Sequence, residues 1–493
     1  MMSIHFTDMK KIGLYITMGL AMGAAGCNKY LDKDPDNRAQ LNSPEKVAQL
    51  VATAYPNTNY WAFAECSSDN VGDRGSGTTE YEIQDPYMFR DVRSNQPDSP
   101  EGYWGACYKA VAAANEALQA ISQTPDSVKY NAQKGEALVA RAYAHFMLVN
   151  FFSKFYNKTT AASDAGIPYV TEPENVVVKQ YERKTVQYVY DMVEKDLQAG
   201  LPLIRDEKYS VPAYHFTRVA AHAFAVRYYL FKQQYDSVLV HSAEIFTSSD
   251  ISPKLRQWNT TYKNMTRLEL MATYQKATEP ANLLLCETYS SYARSYLYGR
   301  YAFDPGHSQT LIFGGVPALS QGDWSFGYQA YGGDNVVYMP KVNEYFVRLS
   351  VNADIGDPYV MVPLFTAEEV LFSRAEAMVS KSNYTGALEL LNAYLSTRIY
   401  NYDASIHTLT TDDVTSYYGL AVQAAFNQLI LDYKRAEFIH EGQRWFDILR
   451  KNLPVTHTIY GTGATLTLAA DSKQKVFQIP QSAVLSGLAL NPR

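Results

Sequence analysis

The stretch RAEFIHEGQRWFDILR, Arg435 to Arg450, gathers residues that could do chemistry. Glu437 and Glu441 are four apart and share one helix face, with His440 beside them and Asp447 following. A metal or an acid–base pair could be imagined there. A zinc helix, however, needs His-Glu-x-x-His, and no second histidine lies nearby. Glu441, Arg444 and Asp447 therefore read as an ion-pair network fixing a helix junction, with Trp445 and Phe446 packed beneath. Glycoside hydrolysis needs two carboxyl groups facing each other across a cleft. Glu80, Glu82 and Asp85 qualify only as common acids. A Gly-x-Ser-x-Gly elbow and a phosphate-binding glycine loop are both absent. No catalytic residue, metal site or cofactor is expected.

Binding chemistry is better represented. SSDNVGDRG places Asp69, Asn70 and Arg74 on a loop after an apolar segment, and Tyr81, Tyr87 and Phe89 follow. YSSYARSYLYGRY offers Tyr289, Tyr292, Tyr296, Tyr298 and Tyr301, and GDWSFGYQAYGGDN offers Trp324, Phe326, Tyr328 and Tyr331 among glycines. Glycines leave rings uncovered, and a ring can stack on a sugar's apolar face while Asn or Asp takes its hydroxyls. The expected ligand contacts are Asp69, Asn70, Arg74, Tyr81, Tyr87, Tyr292, Tyr298, Trp324 and Tyr328. The chain holds 40 Tyr and 21 Phe against 5 Trp, so most rings must fill helix interfaces rather than sites.

The elements that must position these residues are mainly helical. A 3.6-residue apolar rhythm runs through 131–155, 185–201, 217–231 and 235–246. FTAEEVLFSRAEAMVSKSNYTGALELLNAYLSTR reads as a hairpin whose first helix starts at a Thr366/Glu369 capping box. Its small residues and Tyr-x-x-Ala spacing follow tetratricopeptide-like packing. YYLFKQQYDSVL repeats the pattern of AMVSKSNYTGAL, with Tyr235 matching Tyr384, so these two hairpins are related but separated by a long insert. That insert, 248–364, and a second irregular stretch, 55–104, are long enough to be functional loops. Asn115 and Trp104 suit the first scaffold helix. KVFQIP, Lys475 to Pro480, reads as a short strand. The expected fold is mainly α, with short strands in the loops.

At the N-terminus, Lys10 and Lys11 precede an apolar run from Ile12 to Ala25, which stops at Cys27. The run is too short to span a bilayer, which takes about 20 residues, but suits a secretory signal. Residues 1–26 read as a lipoprotein signal peptide, Cys27 as the lipidated residue, and the Asp- and Pro-rich 27–40 as a flexible tether. Residues 41–493 form one domain. Net charge is −6, so nucleic acid, which needs a basic face, is not a partner. Cys66, Cys107 and Cys286 leave one disulfide open, and their spacing chooses no pair.

In order and spacing, CNKYLDKDPDN, GEALVARAYAHFMLVNFFSKFY with GIPYV, KTVQYVYDMVEKDLQAGLPLI, TAEEVLFSRAEAMV, RAEFIHEGQRWFDILR and FQIPQSAVLSGLALNP resemble the SusD/RagB family of Bacteroidetes nutrient-binding lipoproteins. The resemblance implies about four tetratricopeptide-like hairpins in a curved scaffold, with irregular segments carrying the ligand site. It implies anchoring in the outer membrane, exposed at the cell surface, as a lid on a SusC-like TonB-dependent transporter. An oligosaccharide is the leading ligand, an oligopeptide as in RagB-like members the second, and a surface hydrolase a remote third. The family often has an Asp at the position of Asp69, where it can also act as a loop cap. The sequence departs from the family's export signal in that acidic residues begin only at Asp32.

Overall fold

Helices long enough to bury a face carry the molecule. The computed structural model describes residues 41–493 apart from 175, 177, 178, 315–318 and 331–334. The expected signal peptide, lipidated Cys27 and tether lie outside the described residues. The helices are α1 (Pro44–Val51), α2 (Trp61–Ser67), α3 (Tyr81–Tyr87), α4 (Pro100–Ser122), α5 (Asn131–Phe152) and α6 (Val186–Gly200). They continue as α7 (Arg218–Phe231), α8 (Tyr235–Ala243), α9 (Arg267–Tyr274), α10 (Tyr292–Tyr298), α11 (Pro305–Leu311), α12 (Ala367–Ser380) and α13 (Tyr384–Ser396). The last are α14 (Ala404–His407), α15 (Thr411–Tyr418), α16 (Val422–Glu437), α17 (Gln443–Arg450) and α18 (Gln481–Val484). Consecutive long helices pack as hairpins: α4 with α5, α7 with α8, α12 with α13 and α15 with α16, while α6 covers the other side of α5. The expected mainly-α fold is the observed one.

Helix α5 is buried nearly all round, as a central helix must be when neighbours cover every face. Its Arg141 forks onto Asp196 of α6 at 2.7 and 2.8 Å and donates to Asn115 of α4 at 2.8 Å. The two sequence-related hairpins meet: α12 packs on both α7 and α8 although the insert separates them in the chain. Arg227 of α7 grips Glu369 of α12 at 2.5 and 2.6 Å. That contact corrects the capping-box expectation. Thr366 does accept from Glu369 N, but the Glu369 carboxylate is taken by Arg227, so half the box forms.

The insert folds around one antiparallel sheet with order β2–β7–β6 (Asn282–Tyr289, Gly356–Thr366, Glu344–Arg348). Strand β7 runs directly into α12. Its Val360, Val362 and Leu364 face the core, while Tyr359 and Met361 alternate outward. Smaller ladders are β1 (Gly72–Asp73) with β3 (Tyr301–Ala302), β4 (Gln329–Ala330) with β5 (Val337–Tyr338), and β8 (Val455–Thr458) with β9 (Thr465–Leu468).

Two sequence readings need correction. The stretch 55–104 is not wholly irregular, since it holds α2, α3 and the start of α4. KVFQIP is not a strand. It crosses the end of α5, where Phe477 N donates to Phe151 O and Asn491 donates to Phe152 O. Carbonyls at a helix C-terminus lack intrahelical partners, so they accept such crossing segments without a ladder. Cys66, Cys107 and Cys286 are free buried thiols.

Candidate ligand-binding face

The chemistry-rich motif from Glu437 to Arg450 is a buried junction. Arg398 binds Glu437 and Glu368 at 2.9 Å, Arg256 binds Glu368 at 2.8 Å, and all four side chains are fully buried. Glu441 accepts from Lys341 at 2.9 Å and from Tyr274 at 2.6 Å. Asp447 holds Lys434 at 2.6 Å and Arg450 at 3.0 Å. Glu441, Arg444 and Asp447 therefore share a junction but not one another: each takes a separate partner. Trp445 is buried, with the Phe477 ring as its neighbour. His440 adopts φ +74 and Gly442 φ +66, and Glu65 of α2 accepts both their backbone N–H groups at 2.9 Å. Burial pushes the Glu65 carboxyl up to about 7 and the His440 imidazole well below its ordinary value. His440 Nε2 accepts from Met339 N at 3.1 Å, so its acceptor nitrogen is already engaged. Among the described residues no group of three or more His, Cys, Asp or Glu is arranged to hold a metal.

The exposed chemistry lies where 70–98 meets 290–313. Strand β1 pairs with β3, Thr78 N donates to Tyr298 O at 2.8 Å, and Arg300 N returns to Thr78 O at 2.9 Å. Arg74 knits the two segments from beneath, donating to the carbonyls of Leu297 and Val337 at 3.0 Å and of Phe303 at 3.1 Å. Burial pushes its pKa down to about 10. Asp73 accepts from Arg300 at 2.6 and 2.8 Å, from Gly75 N at 2.9 Å and from Tyr460 N at 3.1 Å. That carboxylate fastens the β8–β9 turn to the face. Gly75, at φ +79, lies so close to the Tyr460 ring that a Cβ would meet it at 2.4 Å.

Three large exposed rings consequently stand beside the backbone from Gly75 to Tyr81: Tyr460 (60 %) over Gly75, Tyr298 (52 %) on the segment bonded through its backbone to Thr78, and Tyr81 (46 %) at the start of α3. The Arg93 guanidinium lies 4.3 Å from the Tyr81 ring centre and forks onto Asp85 at 2.7 and 3.0 Å. Asp98 behind them accepts from Ser290 at 2.6 Å and Ser291 N at 2.8 Å, and burial raises its pKa to about 6. Further along, Phe313 is exposed and meets the half-buried Tyr328 edge-on at 5.2 Å.

The structure separates the expected contacts. Tyr81, Tyr298 and Tyr328 reach this surface. Asp69 instead forks onto Arg444 at 2.7 and 2.9 Å. Burial alone would raise its pKa, but the Arg444 hydrogen bonds and the Arg435 charge outweigh it and hold it at about 2. Asn70 is buried and accepts from Arg435 at 3.1 Å, and Arg74 is buried as described. Tyr87 is sandwiched between Tyr301 (4.5 Å) and His457 (4.1 Å) with its hydroxyl on Thr458 O. Tyr292 is on the inward side of α10. Trp324, only 7 % exposed, packs on Phe326, Tyr394 and Tyr433. Its glycine neighbours do not uncover it, because Ser325 N bonds Arg398 O and Tyr400 N bonds Asp323 O, pressing the ring onto α13 and α16. Asn70, Arg74, Tyr87, Tyr292 and Trp324 are thus corrected from surface contacts to internal supports. Sequence reading missed Tyr460, Phe313 and Arg93. Tyr460 carried a signal, since Gly461 and Gly463 flank it as glycines flank Trp324.

A family model described as starch-binding associating with outer membrane matches residues 29–230, and a SusD family model matches 362–484. A SusD superfamily protein of Bacteroides thetaiotaomicron superposes with TM-score 0.63 at 19 % identity, over 92 % of this chain and 100 % of that one. One from Bacteroides fragilis gives 0.65 at 18 %, over 91 % and 98 %. A SusD-like carbohydrate binding protein of Bacteroides vulgatus gives 0.64 at 16 %, over 90 % and 96 %. No curated protein matches the sequence significantly.

Proposed function

The chain belongs to the SusD/RagB family, and from that premise we propose that it captures an oligosaccharide on the Tyr81–Tyr298–Tyr460 face and hands it to a SusC-like TonB-dependent transporter. Family membership supports a carbohydrate-binding protein associated with the outer membrane. The lipid on Cys27, the tether 27–40, surface exposure and the lid arrangement of the single domain 41–493 are part of the same proposal. The reading is of a binding protein, not an enzyme.

One observation carries it: three exposed tyrosines from three separate segments stand beside seven residues of backbone, where Asp73 fastens the Tyr460 segment and Arg74 the Tyr298 segment. Flat apolar rings with hydroxyl tips, set on a rigid frame, match sugar faces and their hydroxyl rims. Affinity electrophoresis through gels cast with soluble starch, xylan, mannan or pectin tests it. Tyr81→Ala/Tyr298→Ala should lose about tenfold or more in affinity for the retained glycan, the scale of central contact residues. Unchanged retention with the fold intact would remove this face as the site. Selective capture of peptides would favour the oligopeptide reading instead.

A further inference from the structure

A second concave region lies on the outer face of the β2–β7–β6 sheet, away from the tyrosine rim. It encloses about 700 Å³, between the chain leaving α1, helix α4, the turn at Pro212–Tyr214 and the three strands. That falls within the usual range for small-molecule sites. Its lining is aromatic with a few polar groups: Tyr345 and Met361 on the floor, Tyr214 on the wall, Asn57, Lys109 and Glu287 around them. Tyr289, Tyr359 and Tyr345 pair directly across the three strands, so their side chains share this face. Ring centres are 5.7 and 6.2 Å apart at interplanar angles of 33° and 25°, which makes an offset row rather than a closed stack. Such spacing is comparable to the advance of one sugar unit along a chain.

The polar groups narrow the ligand class. Lys109 is exposed on α4 and, among the described residues, has no hydrogen-bond or ion-pair partner. Glu287 accepts the Tyr345 hydroxyl, which fixes that ring beside the carboxylate. One cation and one anion line the cavity, so a polyanion would meet Glu287 and a polycation Lys109. Hydroxyls can donate to one and accept from the other. The Cys286 thiol is held protonated by burial, pushed up to about 12, and adds no reactive group.

We propose that this cavity is a second glycan subsite, taking a short neutral oligosaccharide that stacks on Tyr345 and Tyr214 and hydrogen-bonds Lys109 and Glu287. The proposal rests on the oligosaccharide reading above. Helix α10 follows strand β2 of the same sheet and ends at Tyr298 of the rim, a helix of about 10 Å. A glycan long enough to reach both, with a short stretch in each subsite, would meet each at a raised effective concentration.

The test is an array of neutral and uronic-acid oligosaccharides probed with the folded protein and three variants: Tyr81→Ala/Tyr298→Ala, Lys109→Ala/Tyr345→Ala, and all four together. Lys109→Ala/Tyr345→Ala should weaken binding of neutral glycans by about fivefold or more. The rim variant should keep residual binding that the fourfold variant loses. Lys109→Ala alone, at an exposed side chain, guards against a folding artefact and should still reduce binding. If Lys109→Ala/Tyr345→Ala binds every glycan as the parent does while the rim variant does not, the second subsite is overturned and the rim stands. Binding of uronic-acid glycans alone overturns the neutral assignment. If the parent binds no glycan, the oligosaccharide reading falls and this subsite with it.

Discussion

The junction around Glu437 and the rim around Tyr298 use similar materials in opposite ways. At the junction, Glu437, Glu441 and Asp447 each meet a cation or hydroxyl within 3.0 Å in a buried setting. At the rim, ion pairs such as Asp73–Arg300 and Asp85–Arg93 sit beneath or beside rings that stay open to solvent. The difference teaches that dense acidic and basic residues mark a structural knot here, whereas the proposed binding face is made of aromatic residues whose backbones are fixed and whose faces are not covered.

Removing charge from the junction should have the largest effect. Glu437→Ala leaves Arg398 buried with half its compensation and should cost about 3–5 kcal/mol. Chemical denaturation checks this, and the folded fraction should still bind glycan. A variant of normal stability that no longer binds would break the comparison. Trp324→Ala belongs on the same side despite its glycine-rich surroundings. It should cost about 3 kcal/mol through the cavity left among Tyr394, Tyr433 and Phe326, with glycan affinity unchanged.

A smaller effect links the junction to pH. Asp69 titrates near 2 in the folded protein, below its unfolded value near 3.8. Its stabilisation is therefore complete above about pH 4 and lost as pH falls toward 2. Asp98 has the opposite sign: raised to about 6, it takes stability away as pH rises from about 4 to 6. Asp69→Asn should lose about 2 kcal/mol at neutral pH and flatten the acid limb below pH 4, measured by urea melts across pH. An unchanged acid limb would mean that the Arg444 pair contributes nothing. Least of all, Arg93→Ala should weaken glycan binding about threefold by freeing the Tyr81 ring, with a small loss of stability because the buried Asp85 carboxylate loses its guanidinium partner. Titration calorimetry would resolve it.

The scaffold was legible because its information is local. The rhythm of 131–155 and the matched Tyr235 and Tyr384 hairpins fix helices and their buried faces within a few turns. Asn115 sits on the scaffold for the same reason, on the buried face of α4 where it accepts from Arg141. The rim was harder. Tyr292 and Tyr298 share one short helix, yet only its geometry decides that Tyr292 points inward and Tyr298 outward. Trp324 looked exposed from its glycines, but two backbone bonds from Arg398 and Tyr400 set its place, and these lie more than seventy residues away along the chain. Tyr460 joins through a carboxylate on Asp73, a contact across 387 positions that no spacing rule reveals.

The most direct test is mass spectrometry of small molecules that co-purify with the native protein from membranes of its own host. The account predicts a ladder separated by sugar masses, reduced when Tyr81 and Tyr298 are both replaced by alanine. A ladder of mixed peptides, undiminished by that replacement, would contradict it.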